Sequence, residues 1–412
     1  MTVGPRRRLL FLLPFPPDPA GAHGAARMTG QLLEALAGAH DVGAMYLRAA
    51  EEPPIDSGLG ERLALVAEVE RPSLEGPGAG RAARRALGLL TGRPLWATDW
   101  AVPAFAARLR EVAQAWRPDV AQAELHVMGQ YLPALGEPAP PAILVEHDPG
   151  AAAAMDLAAW ERGFRRIGRR VDALAWRRYE RRVLPGADAV VAFTERDRAT
   201  LAALAPGARV VRITPGIALP AQPSDPVGAQ PPRVLFLGSF GHPPNIDAAT
   251  RLARALMPAV RARVPGAELE IVGAAPPAEV RALAGDAVVV TGPVADARPY
   301  LDRAAVVAAP LRLGGGVRVK VLEALASGKA MVATPLALAG LDVVPGTHAL
   351  VGESDTELSD ALAVLLEDPD RRRRLGRAAR DWAIEHLGWE HAATAYADLY
   401  TTLLAEHGRT PP

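Results

Sequence analysis

The chain has 412 residues, half of them hydrophobic and 22% charged, which suffices for two domains with sizeable cores. Its 46 basic and 46 acidic residues cancel, so nothing global points to nucleic acid as a partner. It has no cysteine, which excludes disulfides, thiolate zinc sites and thiol catalysis.

The N-terminal Pro5-Arg6-Arg7-Arg8 and the apolar Leu9 to Leu13 mimic a signal peptide. The run is short, ends at Pro14 and lacks a prompt small-residue cleavage site, so it reads as a first buried strand. A Pro/Gly loop and a helix over 24–38 follow, then strands over 42–47, 119–123 and 142–145. A helical stretch over 158–184 precedes a strand over 188–193. A second series begins with strands over 234–237, 269–272, 288–290, 306–309 and 331–333, with helices between them. Alternating strands and helices predict an α/β protein of two doubly wound parallel-sheet domains, 1–218 and 233–388, facing across a cleft. Residues 219–232, LPAQPSDPVGAQPP, read as a linker and hinge, and a last helix lies in 389–412. No apolar run is long enough to span a bilayer, and a cytoplasmic protein is expected.

The densest signal is GGGVRVKVLEALASGKAMVAT, residues 314–334. It reads as a glycine loop, a short helix and a buried strand. A helix N-terminus directs free N–H groups at whatever fills the loop, which suits a phosphate. Arg318 and Lys320 fall in the first turn, where the helix dipole disfavours cations, so an anionic ligand would explain them. Glu323, a turn later, is placed to accept hydrogen bonds from sugar hydroxyls.

This segment resembles the signature of glycosyltransferase family 4, the glycosyl transferases group 1. The family pattern is a Glu, seven residues, a second Glu, and a small-residue run ending in a strand. Here the second Glu is Glu323 and the strand is Ala330 to Thr334; the first Glu falls at Gly315, as in a subgroup with a Gly-rich loop there. The resemblance implies the GT-B fold: two Rossmann-like domains, an acceptor side and a nucleotide-sugar side, with the last helix returning to the first domain. It implies retaining transfer from a nucleotide-diphosphate sugar to a hydroxyl-bearing acceptor, with no cofactor and no metal. Glu323 would bond the ribose, and Gly314, Gly315, Gly316 and Val317 would line the donor. Gly238, Gly273, Gly292 and Val294 would frame the nucleotide. Gly21, His23 and Gly24 would lie under the donor phosphates next to the acceptor, and His147 would approach the transferred sugar.

Family members usually carry an Arg and a Lys-Gly pair after the first strand of the second domain. This chain has Ser239, Phe240, His242 and Asn245 there. Arg318 and Lys320 are the natural replacements for stabilising the leaving diphosphate, and Asn245 reads as a helix cap. Asp148-Pro149-Gly150, after His147, has turn chemistry of its own.

Residues 162–182 carry nine arginines, from Arg162 to Arg182, with Phe164, Ile167, Val171 and Leu174 at helical spacing. The stripe is expected to pack on its own domain with the arginines solvated or paired. The other reading is peripheral contact with an anionic membrane at its inner face, or with a lipid-diphosphate acceptor. The expected function is a retaining hexosyltransferase-type enzyme in polysaccharide, glycolipid or natural-product glycosylation. The alternative is a non-catalytic nucleotide-sugar-binding relative or partner subunit, motivated by Gly315 and the missing basic pair. An epimerase on the same fold would want further acidic and His residues converging on the anomeric centre.

Overall fold

The computed structural model describes residues 6–21, 24–73, 85, 88, 92–160, 163–294 and 296–408, without the side chains of 160, 164 and 165. The chain forms two compact units. One runs to Pro215 and takes in Gly315–Val317 and the chain from Ala392; the other comprises Gly216–Gly314 and Arg318–His391.

The first unit is built on a seven-stranded parallel sheet in the order β3-β2-β1-β4-β5-β6-β7. Its strands are β1 (Arg8–Leu13), β2 (Asp41–Arg48), β3 (Leu65–Glu70), β4 (Val120–Glu124), β5 (Ala142–Glu146), β6 (Ala189–Ala192) and β7 (Val210–Arg212). Leu9 to Leu13 are all buried, because a central parallel strand is covered on both faces and so reads as an unbroken apolar run. The edge strand β3 instead buries alternate residues, Ala67 and Val69. β1 pairs with both β2 and β4, so the strand order reverses beside it, where open sheets place ligands beyond the strand ends.

The second unit has a six-stranded sheet, β10-β9-β8-β11-β12-β13. Its strands are β8 (Arg233–Leu237), β9 (Glu268–Val272), β10 (Val288–Gly292), β11 (Val306–Ala309), β12 (Met331–Ala333) and β13 (Leu350–Val351). The same reversal occurs here, with β8 between β9 and β11. The helix Trp389–Glu406 buries Tyr396, Tyr400 and Leu403. Its Tyr400 hydroxyl donates to Gln122 Oε1 on β4 at 2.7 Å, and Glu406 accepts from Arg209 at 2.9 Å.

Three features differ from the sequence reading. The helical stretch starts at Gly150 and comprises two helices, Gly150–Trp160 and Gly163–Val183. The apolar stripe Ile167, Val171 and Leu174 is exposed, because Ala173, Trp176 and Tyr179 take the inward face instead; Arg162 lies outside the described residues. Residues 219–232 are not a solvated tether but are strapped along the second unit. Buried Lys329 donates to the Asp225 and Ala304 carbonyls, Ser224 N donates to Ser327 O at 2.8 Å, and Arg298 donates to Gln222 O at 2.7 Å. Polar backbone in this Pro-rich segment is thus satisfied by the unit it runs along.

Candidate active-site residues

In the first unit, the chemistry gathers at the carboxyl ends of β4 and β5. Glu124 and Glu146 are the last residues of these strands, and both are buried. Strand pairing sets Glu124 beside Val145, so the residues just after β5 lie next to the end of β4. His147 Nε2 is 2.7 Å from Glu124 Oε2. The other Glu124 oxygen accepts from Gln122 Nε2 at 2.6 Å, and Gln122 in turn accepts from Tyr400. A four-member polar ladder, Tyr400–Gln122–Glu124–His147, therefore crosses the interior and ends on the histidine. The ring of Phe193, 4.9 Å away, supports the imidazole.

A second buried group lies alongside. His126 Nδ1 is 3.1 Å from Glu146 Oε2, and the His126 ring packs edge-on to Trp176 at 4.5 Å and Trp96 at 4.8 Å. Glu180 receives Ala151 N at 3.2 Å, in the first turn of the helix Gly150–Trp160. Burial pushes the Glu146 and Glu180 carboxyls up to about 8 and lowers the His126 imidazole, so all three favour the neutral form. Asp148 and Pro149 lead directly into that helix, which begins at Gly150.

In the second unit, the ends of β8 and β9 lie so close that a Cβ on Gly273 would sit 1.7 Å from Gly238 O. Only glycine fits there. A Cβ on Gly238 would sit 3.1 Å from Lys320 Nζ and 3.0 Å from Asn245 Cγ. The missing side chain makes room for a cation: Lys320 Nζ donates to Asn245 Oδ1 at 2.5 Å and lies 4.4 Å from the Phe236 ring centroid. Burial, and then Arg318, push the ammonium down to about 7, with Glu323 pulling the other way. Asn245 does not cap its helix. The helix Pro243–Arg251 starts after His242, and Asn245 Nδ2 donates to Ser239 O at 2.7 Å, so its side chain bridges that loop to Lys320.

Arg318 stands at the N-cap of the helix Val319–Ala326 and donates to Gly314 O at 2.7 Å. Gly314 and Gly316 are left-handed, with φ of 106° and 68°. Glu323 is half-buried one turn beyond Lys320, on the same helix face. Two further cations near this end of the sheet are committed to structure. Arg251 donates to Asp355 at 2.6 Å and Pro310 O at 3.0 Å, and Arg312 pairs with Asp247.

The structure thus brings together Gly238, Gly273 and Lys320 in one unit. Gly273 N also donates to Gly292 O at 3.2 Å, and Val294 is half-buried in the loop beyond. Gly315, Gly316 and Val317 group with the first unit rather than with Lys320. There Gly21 N donates to Asp18 O at 3.1 Å, Gly24 opens its helix, and His23 lies outside the described residues. Sequence reasoning missed Glu124, Gln122, Tyr400 and His126; a polar residue inside an apolar strand, as in VAQAE, was the available signal. Among the described residues no group of three His, Cys, Asp or Glu could hold a metal.

Two family models match the chain: Glycosyltransferase Family 4 over residues 22–220 and Glycosyl transferases group 1 over residues 231–368. A curated relative is the GDP-mannose-dependent alpha-(1-6)-phosphatidylinositol monomannoside mannosyltransferase of Mycobacterium tuberculosis, 32% identical over 243 residues. That match spans 53% of this chain and 63% of the relative's length. Among solved structures, sucrose-phosphate synthase from Thermosynechococcus elongatus is similar with a TM-score of 0.74 at 20% identity, covering 97% of this chain and 100% of that one. WaaG, a glycosyltransferase involved in lipopolysaccharide biosynthesis, gives 0.65 at 16% identity, covering 95% and 99%. Anabaena HepE in complex with UDP and glucose gives 0.64 at 14% identity, covering 96% and 100%. At these identities the likeness carries the fold alone, which is GT-B.

Proposed function

Because the chain belongs to the glycosyl transferases group 1, we propose that it is a retaining, metal-independent glycosyltransferase using a nucleotide-diphosphate sugar. The observation that carries this reading is Lys320, whose ammonium sits beside Gly238, the residue that packs on Gly273, at the reversal of strand order. A diphosphate is the anion that suits one half-buried lysine, a helix N-terminus with Arg318 at its cap, and loops without side chains. Lys320 reaches the loop whose own sequence lacks a basic pair. Glu323 serves the ribose hydroxyls, with Gly314, Gly315, Gly316, Val317, Gly292 and Val294 as donor-lining positions. The Gly21–Gly24 loop serves the acceptor and His147 the transferred sugar.

In the transfer, the bond from the anomeric carbon to the diphosphate oxygen breaks and the diphosphate leaves with the electron pair. The acceptor oxygen bonds to the anomeric carbon on the same face, and its proton passes to the departing phosphate oxygen. Lys320 and Arg318 stabilise the charge that develops on the diphosphate, which is the part a cation contributes without a metal. Glu124 holds His147 by Nε2 and leaves Nδ1 to meet the sugar, so Glu124 is a positioning residue.

A donor with mannose and an acceptor on a lipid headgroup are the first pair to try, given the curated relative's name. The test is a thermal-shift and hydrolysis screen against GDP-, UDP-, ADP- and dTDP-sugars with Glu323→Ala and Lys320→Ala alongside. Stabilisation by one donor and slow release of its nucleoside diphosphate, both lost in the variants, is the expected result. A protein that binds a donor yet never releases diphosphate with any acceptor is instead a non-catalytic relative.

A further inference from the structure

The helix Gly163–Val183 carries three of its large aliphatics on the side away from its core face. Ile167, Val171 and Leu174 are 58%, 47% and 60% exposed, and at about 100° per residue their i, i+4, i+7 spacing makes one stripe. Met155, 52% exposed, lies on the helix Gly150–Trp160 that packs against it. The helix has two acids, and both point inward. Asp172 accepts Leu95 N at 3.0 Å, and Glu180 accepts Ala151 N. Among the described residues, the charged side chains exposed on this helix are all arginines: Arg166, Arg170, Arg177, Arg178, Arg181 and Arg182.

We propose that this face is a docking surface for an anionic lipid bilayer. A purely solvated face has no use for three large aliphatics in register, and a core face has no use for six exposed guanidinium groups. Both are required where a helix lies in a bilayer interface. The aliphatics enter the acyl boundary, while the arginine stems run along the surface and hold their heads at the phosphates. A second copy of this chain is a poor occupant, because stacking the face on itself sets arginines against arginines with no exposed acid on the helix to answer them. The overall charge is zero, so the attraction comes from this face and not from the molecule as a whole. The surface stands apart from the proposed transfer reaction, since vesicle binding is scored without donor or turnover.

The test is co-sedimentation of the full chain with vesicles of phosphatidylcholine alone and of phosphatidylcholine mixed with phosphatidylglycerol. The wild type is expected to partition onto the mixed vesicles at least about tenfold more strongly, with the preference falling as salt rises. I167S/V171S/L174S and, separately, R170Q/R177Q/R182Q should each lose that preference while keeping the wild-type melting temperature. No enrichment on the mixed vesicles overturns the proposal, as does a stripe variant that binds like the wild type. A lipid-free dimer that the stripe variant makes monomeric also overturns it, assigning the face to a second copy.

Discussion

The two units solve one problem in opposite ways. Each must present polar chemistry at the ends of a buried parallel sheet. The first does so with side chains: Tyr400, Gln122 and Glu124 pass a hydrogen-bonded ladder through the interior to His147. The second does so by removing them: Gly273 lets the Gly238 backbone approach, and Gly238 clears a space that Lys320 fills from a neighbouring helix. A ladder fixes the orientation of a ring and tolerates partial loss. A clearance is less forgiving, because room for a methyl group comes only from displacing the loop itself. Substitutions should therefore hit the second unit harder than the first.

The largest effect is expected from Gly273→Ala. Its Cβ would meet Gly238 O at 1.7 Å, so the loop must shift, and a displacement of about 1 Å at a ligand site costs on the order of a hundredfold. Donor titration by calorimetry checks this, and near-normal affinity would show that the clearance is not needed. Next is Lys320→Met, expected to lower kcat/KM by up to about a hundredfold with little change in melting temperature. The wild type should also bind donor about tenfold more weakly per pH unit above about 7, because the lysine must regain its proton to face a diphosphate. The variant should show a flat profile; a parallel slope in both would remove Lys320 from the diphosphate.

Glu124→Gln comes third. It keeps the ladder's shape but frees the other tautomer of His147, and kcat should fall about tenfold, or about 1.4 kcal/mol, with donor affinity unchanged. Tyr400→Phe, two steps further along, should do less; an equal loss in donor affinity and kcat would mean that the ladder is merely structural. The smallest effect is on stability. The Glu146 carboxyl titrates near 4.5 unfolded and about 8 folded, so its contribution is complete below about 4.5 and is lost as pH rises through about 8. Glu146→Gln should flatten the decline in melting temperature between those values, and identical slopes in both proteins would show that Glu146 does not couple folding to pH.

The strands were legible where burial on both faces writes an apolar run, as in Leu9 to Leu13 or Val306 to Ala309. β3 escaped because LVAEVE mixes acids into an edge strand, and β13 because two residues leave no pattern. Glu323, Lys320 and Arg318 could be singled out as candidates because they share one short segment, whereas the bond from Lys320 to Asn245 joins residues 75 apart in sequence. Glu124 and Tyr400 could not be read at all: their ladder joins β4 to a helix 278 residues away. On the helix Gly163–Val183, periodicity gave two faces but not which one turns inward. That choice rests on Trp176, Tyr179 and two satisfied acids, which a hydrophobic pattern undercounts.

The strapped segment dictates where this protein can be divided. Lys329 is completely buried, its ammonium is lowered by burial to about 8, and it relies on the carbonyl of Asp225 as well as that of Ala304. An isolated second half that starts at Pro232, as the proline-rich composition invites, would expose that cation's surroundings and strip one of its two acceptors. One that starts at Gly216 keeps both, together with the Arg380 bond to Pro220 O and the bond from Ile217 N to Leu387 O at 2.8 Å. Expression of the two fragments side by side should yield a folded protein only from the longer one.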